Sequence, residues 1–214
     1  MNKVDFQRTL DFAEYMDVGI YEELLQVLQN HVAPKQVFNN SGSDLRGLIQ
    51  DLYYMDYSAW KLNNSSNKNV IIDEWLSTIQ MVHHIFSGDP YDILSCPISF
   101  NPRVRLLQTK FYWHSFNYKS SGFLETILAS HGENYVMQRI SMFRTIDENP
   151  LGEIDLLLLN IREWGSVTGI ELLKIINPKN KQVIRDKFVK FLAQHLIYYN
   201  TLTLRSKDLK SHVD

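Results

Sequence analysis

Residues 103–119, RVRLLQTKFYWHSFNYK, decide how this chain is read. Val, Thr, Phe, Tyr and Trp fit a pleated surface, and charged or polar residues interrupt them at near-alternate positions, so 103–118 is expected to be extended. In a strand, alternate side chains share a face. One face then carries Lys110, Tyr112, His114, Phe116 and Tyr118, and the other carries Phe111, Trp113, Ser115 and Asn117. With Phe111 and Trp113 inward, the outer face sets a cation beside aromatic planes, as base stacking plus phosphate attraction requires. No Asp or Glu occurs from Ile93 to Leu124. Arg103, Arg105, Lys110, Tyr112, His114, Tyr118 and Lys119 are therefore the candidate surface for a protein or nucleic-acid partner. The plain alternative is an aromatic strand that fills a core, or a protein hot spot built on Tyr and Trp.

Outward from this segment the chain reads as helical. Before it, Phe6, Leu10 and Ala13 share a helical face, as do Ile20, Leu24, Leu25 and Leu28. The polar turn NNSGSD (39–44) offers Ser43 or Asp44 as the cap of a helix carrying Leu45, Leu48, Ile49, Leu52 and Tyr53. After NNSSNKN (63–69), the spacing of Ile72, Trp75, Leu76, Ile79, Val82, His83 and Phe86 predicts one apolar stripe. Prolines at 90, 97 and 102 exclude a long helix there.

Behind the segment, FLETILASHG reads as a short helix ending at Gly132, and residues 135–146 alternate as a strand does, with a helix as the competing reading. Asn149-Pro150 is expected to open a helix with Leu151, Ile154, Leu157, Leu158 and Ile161 on its buried face. Ser166 is the expected cap of another, ending before Asn177-Pro178, which begins the last. That last helix buries Ile184, Phe188, Phe191, Leu192, His195, Leu196 and Tyr199, and the basic tail from about Leu204 is expected to fray. The class is mainly α (α+β), with small β elements at 103–118 and 135–146.

Composition bounds the rest. The 214 residues suffice for a core without metal or disulfide support. The single cysteine, Cys96, excludes an intrachain disulfide, and no apolar run approaches the ~20 residues of a membrane span. The amphipathic start lacks the apolar core of a secretion signal, so the expected location is cytoplasmic and the sequons at Asn39, Asn63 and Asn64 carry no glycosylation message. Frequent Asn, Lys, Ile and Tyr suggest an A+T-rich bacterial or phage genome. Residues 1–92 carry 13 acids and 6 bases, and residues 93–214 carry 11 and 16, so an acidic half precedes a basic one. This suggests an acidic helical module at 1–88 and a basic part at 89–214, or one continuous domain. Two partner surfaces or head-to-tail self-association fit the asymmetry, as does chance unevenness.

Catalytic patterns are incomplete. The chain contains no phosphate loop and no G-x-G-x-x-G, and GSVTG (165–169) has Val167 where a nucleophile elbow needs serine. No Glu-x-x-His or His-Glu-x-x-His occurs. His83 and His84 are adjacent and diverge by about 100° on a helix, so they cannot share an ion. His83 and His195 are expected to be hydrogen-bonded core residues, and His84 to face solvent. No catalytic residue, metal or cofactor is expected. The leading expectation is a non-enzymatic protein-interaction adaptor or accessory subunit of a bacterial or phage complex. A nucleic-acid-associated protein using 103–119 is the alternative, against which a pI of 6.4 argues. An enzyme whose site is assembled only in three dimensions comes third.

Overall fold

The computed structural model describes residues 3–16, 18–29, 44–65, 67–114 and 117–204. In chain order its elements are α1 (Gln7–Met16), α2 (Val18–Gln29), α3 (Asp44–Ser65), α4 (Lys68–Ser87), β1 (Pro97–Phe100), β2 (Arg105–Thr109), α5 (Phe123–Ala129), β3 (Asn134–Ile140), β4 (Ile146–Pro150), α6 (Leu157–Trp164), β5 (Ser166–Thr168), α7 (Gly169–Ile176), α8 (Gln182–Ile197) and β6 (Leu202–Leu204). Short 3-10 turns occur at Lys3–Phe6, Pro90–Ser95 and Ile154–Leu156. The fold is mainly helical α+β, with two antiparallel three-stranded sheets ordered β5-β1-β6 and β2-β3-β4.

The chain packs as two compact units that interleave along the sequence. One takes Met1–Ser65, Arg105–Gln138 and Ile146–Leu151, and the other takes Ser66–Val104, Arg139–Thr145 and Gly152–Asp214.

In the first unit, Phe6, Leu10 and Ala13 are buried as their spacing requires, together with Leu24, Leu28, Leu48, Ile49, Leu52 and Tyr53. Ser43 lies outside the described residues, whereas Asp44 opens α3, where its carboxylate meets the positive end of the helix dipole. Phe111, Trp113, Phe123, Ile127 and Val136 complete this core. Arg8 of α1 bridges Asp56 (2.6 Å) and Glu148, and Thr9 donates its N–H (3.1 Å) and hydroxyl (2.5 Å) to Asp56. Burying charge is costly unless every oxygen finds a donor, and this network supplies them. The second unit packs α4 on α8, with the Trp75 indole N–H donating to the Ile197 carbonyl at 2.8 Å.

Several expectations are corrected. The buried stripe of α4 is Ile71, Trp75, Thr78, Val82 and Ile85, one residue round from the expected one, and Leu76 and His83 are exposed. Apolar residues populate both stripes; the anchored Trp75 indole and a Thr78 hydroxyl satisfied by the Glu74 carbonyl (3.1 Å) permit this rotation. Asn149-Pro150 ends edge strand β4, where proline's missing N–H costs no ladder bond, and Ile154 is exposed in the following 3-10 turn. Ser166 opens β5; the cap of α7 is Thr168, whose capping box with Glu171 satisfies two orphan N–H groups. Asn177-Pro178 sits in a turn, where the Asn177 amide holds both the Lys181 N–H and carbonyl (each 2.9 Å) before α8 begins at Gln182. Helix α5 ends at Ala129, short of Gly132. Leu202–Leu204 pairs with β1, Leu204 opposite Ile98, and the basic tail expected to fray lies, from residue 205 on, outside the described residues.

Candidate functional site

The aromatic segment is only partly a strand. Its ladder ends at Thr109, yet the expected alternation persists through the irregular residues that follow: Phe111 and Trp113 are 1% exposed, Lys110 and His114 are exposed, and Tyr112 is half-buried. Ser115 and Phe116 lie outside the described residues. The seven candidate surface residues do not converge. Arg103 belongs to the second unit, where it pairs with Glu74. Tyr118 packs edge-on against Phe12 (5.4 Å between centroids) and near Tyr15 (5.7 Å), with the Lys119 ammonium 5.7 Å from its ring. Burial, with Asp11 and Glu14 nearby, pushes the Tyr118 hydroxyl pKa up. Tyr112 and His114 stack on each other at 6.3 Å. Arg105 and Lys110 remain, and both border β2.

The edge of β2 is where chemistry is left open. In an antiparallel strand the N–H and C=O of one residue point to the same side, and the side alternates along the chain. Leu151 donates its N–H to the Tyr135 carbonyl (2.9 Å), so Tyr135 and Met137 face β4 while Asn134, Val136 and Gln138 face β2. Their partners in register are Thr109, Leu107 and Arg105. Leu106 and Gln108 must therefore turn their N–H and C=O away from β3, and among the described residues nothing pairs with them there.

One residue pair further, the same side is closed by a carboxylate. Lys110 donates its N–H to both oxygens of Asp51 on α3 (3.1 and 2.9 Å), and Phe111 N–H and the Trp113 indole N–H reach Oδ2 at 3.1 Å each. Asp51 is 3% exposed. Burial drives its pKa up to about 6, against the pull of these donors and of the Lys110 charge. Gly47, a turn earlier on α3, lets the Phe111 ring approach: a Cβ there would stand 3.1 Å from the ring edge.

Tyr54, Ser58 and Lys61 continue the Asp51 face of α3 at helical spacing, and they line an open groove of about 480 Å³ with Arg105, Leu106 and Gln108. A neighbouring cavity of about 510 Å³ shares Tyr54 and Gln108 and extends to Lys110 and Glu133. Tyr57 stacks on Trp60 (6.0 Å), and the Lys61 ammonium lies 4.5 Å over the Tyr57 ring. Sequence reading found Arg105 and Lys110 but missed Asp51, Tyr54 and Lys61. Their spacing reads as an ordinary half-exposed helix face until β2 is laid beside it.

In the second unit His195 is the hydrogen-bonded core residue expected, 2% exposed. Its Nε2 faces Asp155 Oδ1 at 3.1 Å and its Nδ1 faces Thr201 Oγ1 at 2.7 Å. Burial raises the Asp155 pKa, but the His195 bond and the Gly152 N–H outweigh it and hold the carboxyl below its ordinary value. Asp-His-hydroxyl order resembles a catalytic relay, but Thr201 is 0% exposed and its hydroxyl also reaches the His195 carbonyl at 3.2 Å. No substrate atom can meet it there, so the relay ties the end of α8 to the approach to β6. Cys96 is half-buried, and burial raises its thiol pKa, away from the reactive thiolate. Among the described residues no cluster of three or more His, Cys, Asp or Glu side chains could hold a metal, and no helix is long and apolar enough to cross a membrane.

No protein-family model matches the chain, and neither a curated protein nor a solved structure is similar to it.

Proposed function

We propose that the protein is a non-enzymatic interaction module whose first unit takes up an extended segment of a partner polypeptide along the open outer edge of β2. The observation that supports this is the pair of outward-facing N–H and C=O sets at Leu106 and Gln108, opening onto a groove walled by α3. An exposed strand edge is a template for another strand, and main-chain bonds then supply affinity while groove side chains supply choice. Nucleic acid fits less well. The aromatic planes and cations of the groove suit it, but bases and phosphates would not satisfy donors and acceptors alternating at strand spacing. A role as adaptor or accessory subunit of a bacterial or phage assembly belongs to the same proposal.

The test uses a short peptide of alternating glutamate and valine, added to isotope-labelled protein and followed by amide shifts. The Leu106 and Gln108 amides should move downfield and saturate, and a peptide N-methylated at alternate positions should not bind. Equal binding of the N-methylated peptide would overturn strand addition.

A further inference from the structure

The charge in the groove points to what that strand carries. We infer that the partner segment alternates acidic with apolar side chains, its acids lying against Arg105 and Lys61; this rests on the strand-addition reading above. At the closed end the two carboxylates are already engaged. Asp51 is buried under three N–H donors, and Glu133 accepts from Tyr135 (2.5 Å) and Gln108 (3.3 Å). At the open end Arg105 on the strand and Lys61 on α3 supply positive charge from both walls, and no carboxylate lines that part of the groove. Arg105 is exposed and has no carboxylate partner among the described residues. A basic segment would meet like charge on both sides, and complementary potentials govern both encounter and choice of partner.

The apolar half of the pattern follows from the groove wall. Tyr54, Tyr57, Leu106 and Leu107 are half-buried and line the same groove. An added strand places alternate side chains on opposite faces, so residues turned to this wall meet aromatic and aliphatic surface. Carboxylates and apolar groups therefore occupy different positions of one strand.

Fluorescence anisotropy of labelled glutamate-valine and lysine-valine peptides on the full chain tests this. The acidic peptide should bind roughly tenfold or more tightly at low salt, with the difference shrinking as salt is added. The double variant Lys61→Glu and Arg105→Glu, both changes at exposed side chains, should invert the order while circular dichroism stays unchanged. Equal affinities for the two peptides, both abolished by N-methylation, would overturn the acidic assignment and leave strand addition standing. No binding of either peptide to wild-type protein would overturn both. Displacement of the acidic peptide by a single-stranded oligonucleotide would assign the groove to nucleic acid instead. A dimer in sedimentation that the peptide fails to dissociate would assign it to a second copy of the chain.

Discussion

The outer edge of β2 and its continuation from Lys110 are two halves of one edge, and they meet the same problem in opposite ways. From Lys110 onward the edge is covered: one buried carboxylate on α3 accepts from two backbone N–H groups and an indole, taking the place a neighbouring strand would fill. At Leu106 and Gln108, four and two residues back along the chain, α3 offers Tyr54, Ser58 and Lys61, and among the described residues neither Tyr54 nor Ser58 bonds to the backbone there. Buried backbone groups must be paired, so the covered half is structural by necessity. The open half costs nothing while water solvates it, and it is the half free to take a partner.

The comparison breaks most visibly at the covered half. Trp113→Ala should cost about 3 to 5 kcal/mol in denaturant unfolding, through the lost ring and the cavity left in the core. The pair Lys110→Ala with Tyr112→Ala, on the outward side, should cost far less, because neither side chain fills that core. Similar losses for the two would show that the in-and-out alternation is not what holds the segment.

Asp51→Ala comes next, at about 2 to 4 kcal/mol, since it strands three N–H donors. Asp51→Asn sharpens the point through pH. The folded carboxyl titrates near 6 and the unfolded one near its ordinary 3.8. The native state thus holds the proton more tightly, and the stabilisation is complete below about pH 4 and lost as pH rises through 6. Across that window the wild type should lose about 3 kcal/mol relative to Asp51→Asn. A difference that grows in the other direction would mean that the donors outweigh burial.

At the open half the expected stability effects are the smallest. Arg105→Ala should change unfolding by no more than about 0.5 kcal/mol, as for a solvated surface side chain, while weakening the acidic peptide. A large loss of stability would place Arg105 in the fold rather than in the groove.

Much of the helical architecture was legible because apolar spacing reports burial directly, as for Phe6, Leu10 and Ala13 or for Phe188, Leu192 and His195. Alternation at 135–146 pointed to a strand without excluding a helix, and it did not show that the strand stops at Ile140 and a second begins at Ile146. The α4 stripe was not legible, because Ile71 and Ile72, Trp75 and Leu76, and Ile85 and Phe86 offer two nearly equal faces, and the choice is made only when α4 packs on α8. The three-residue strands Ser166–Thr168 and Leu202–Leu204 are too short to show a period. Of the site, the cations Arg105 and Lys110 were visible as charge without nearby acids. The groove was not, since it depends on Asp51 and Lys110 meeting across 59 residues.

Amide hydrogen exchange tests the contrast between the two halves most directly. The account predicts slow exchange at Leu107, Lys110 and Phe111, whose N–H groups are bonded, and fast exchange at Leu106 and Gln108, with protection appearing there when the acidic peptide is added. Protection of Leu106 and Gln108 equal to that of Leu107 in the isolated protein would contradict it, because the edge would then already be covered.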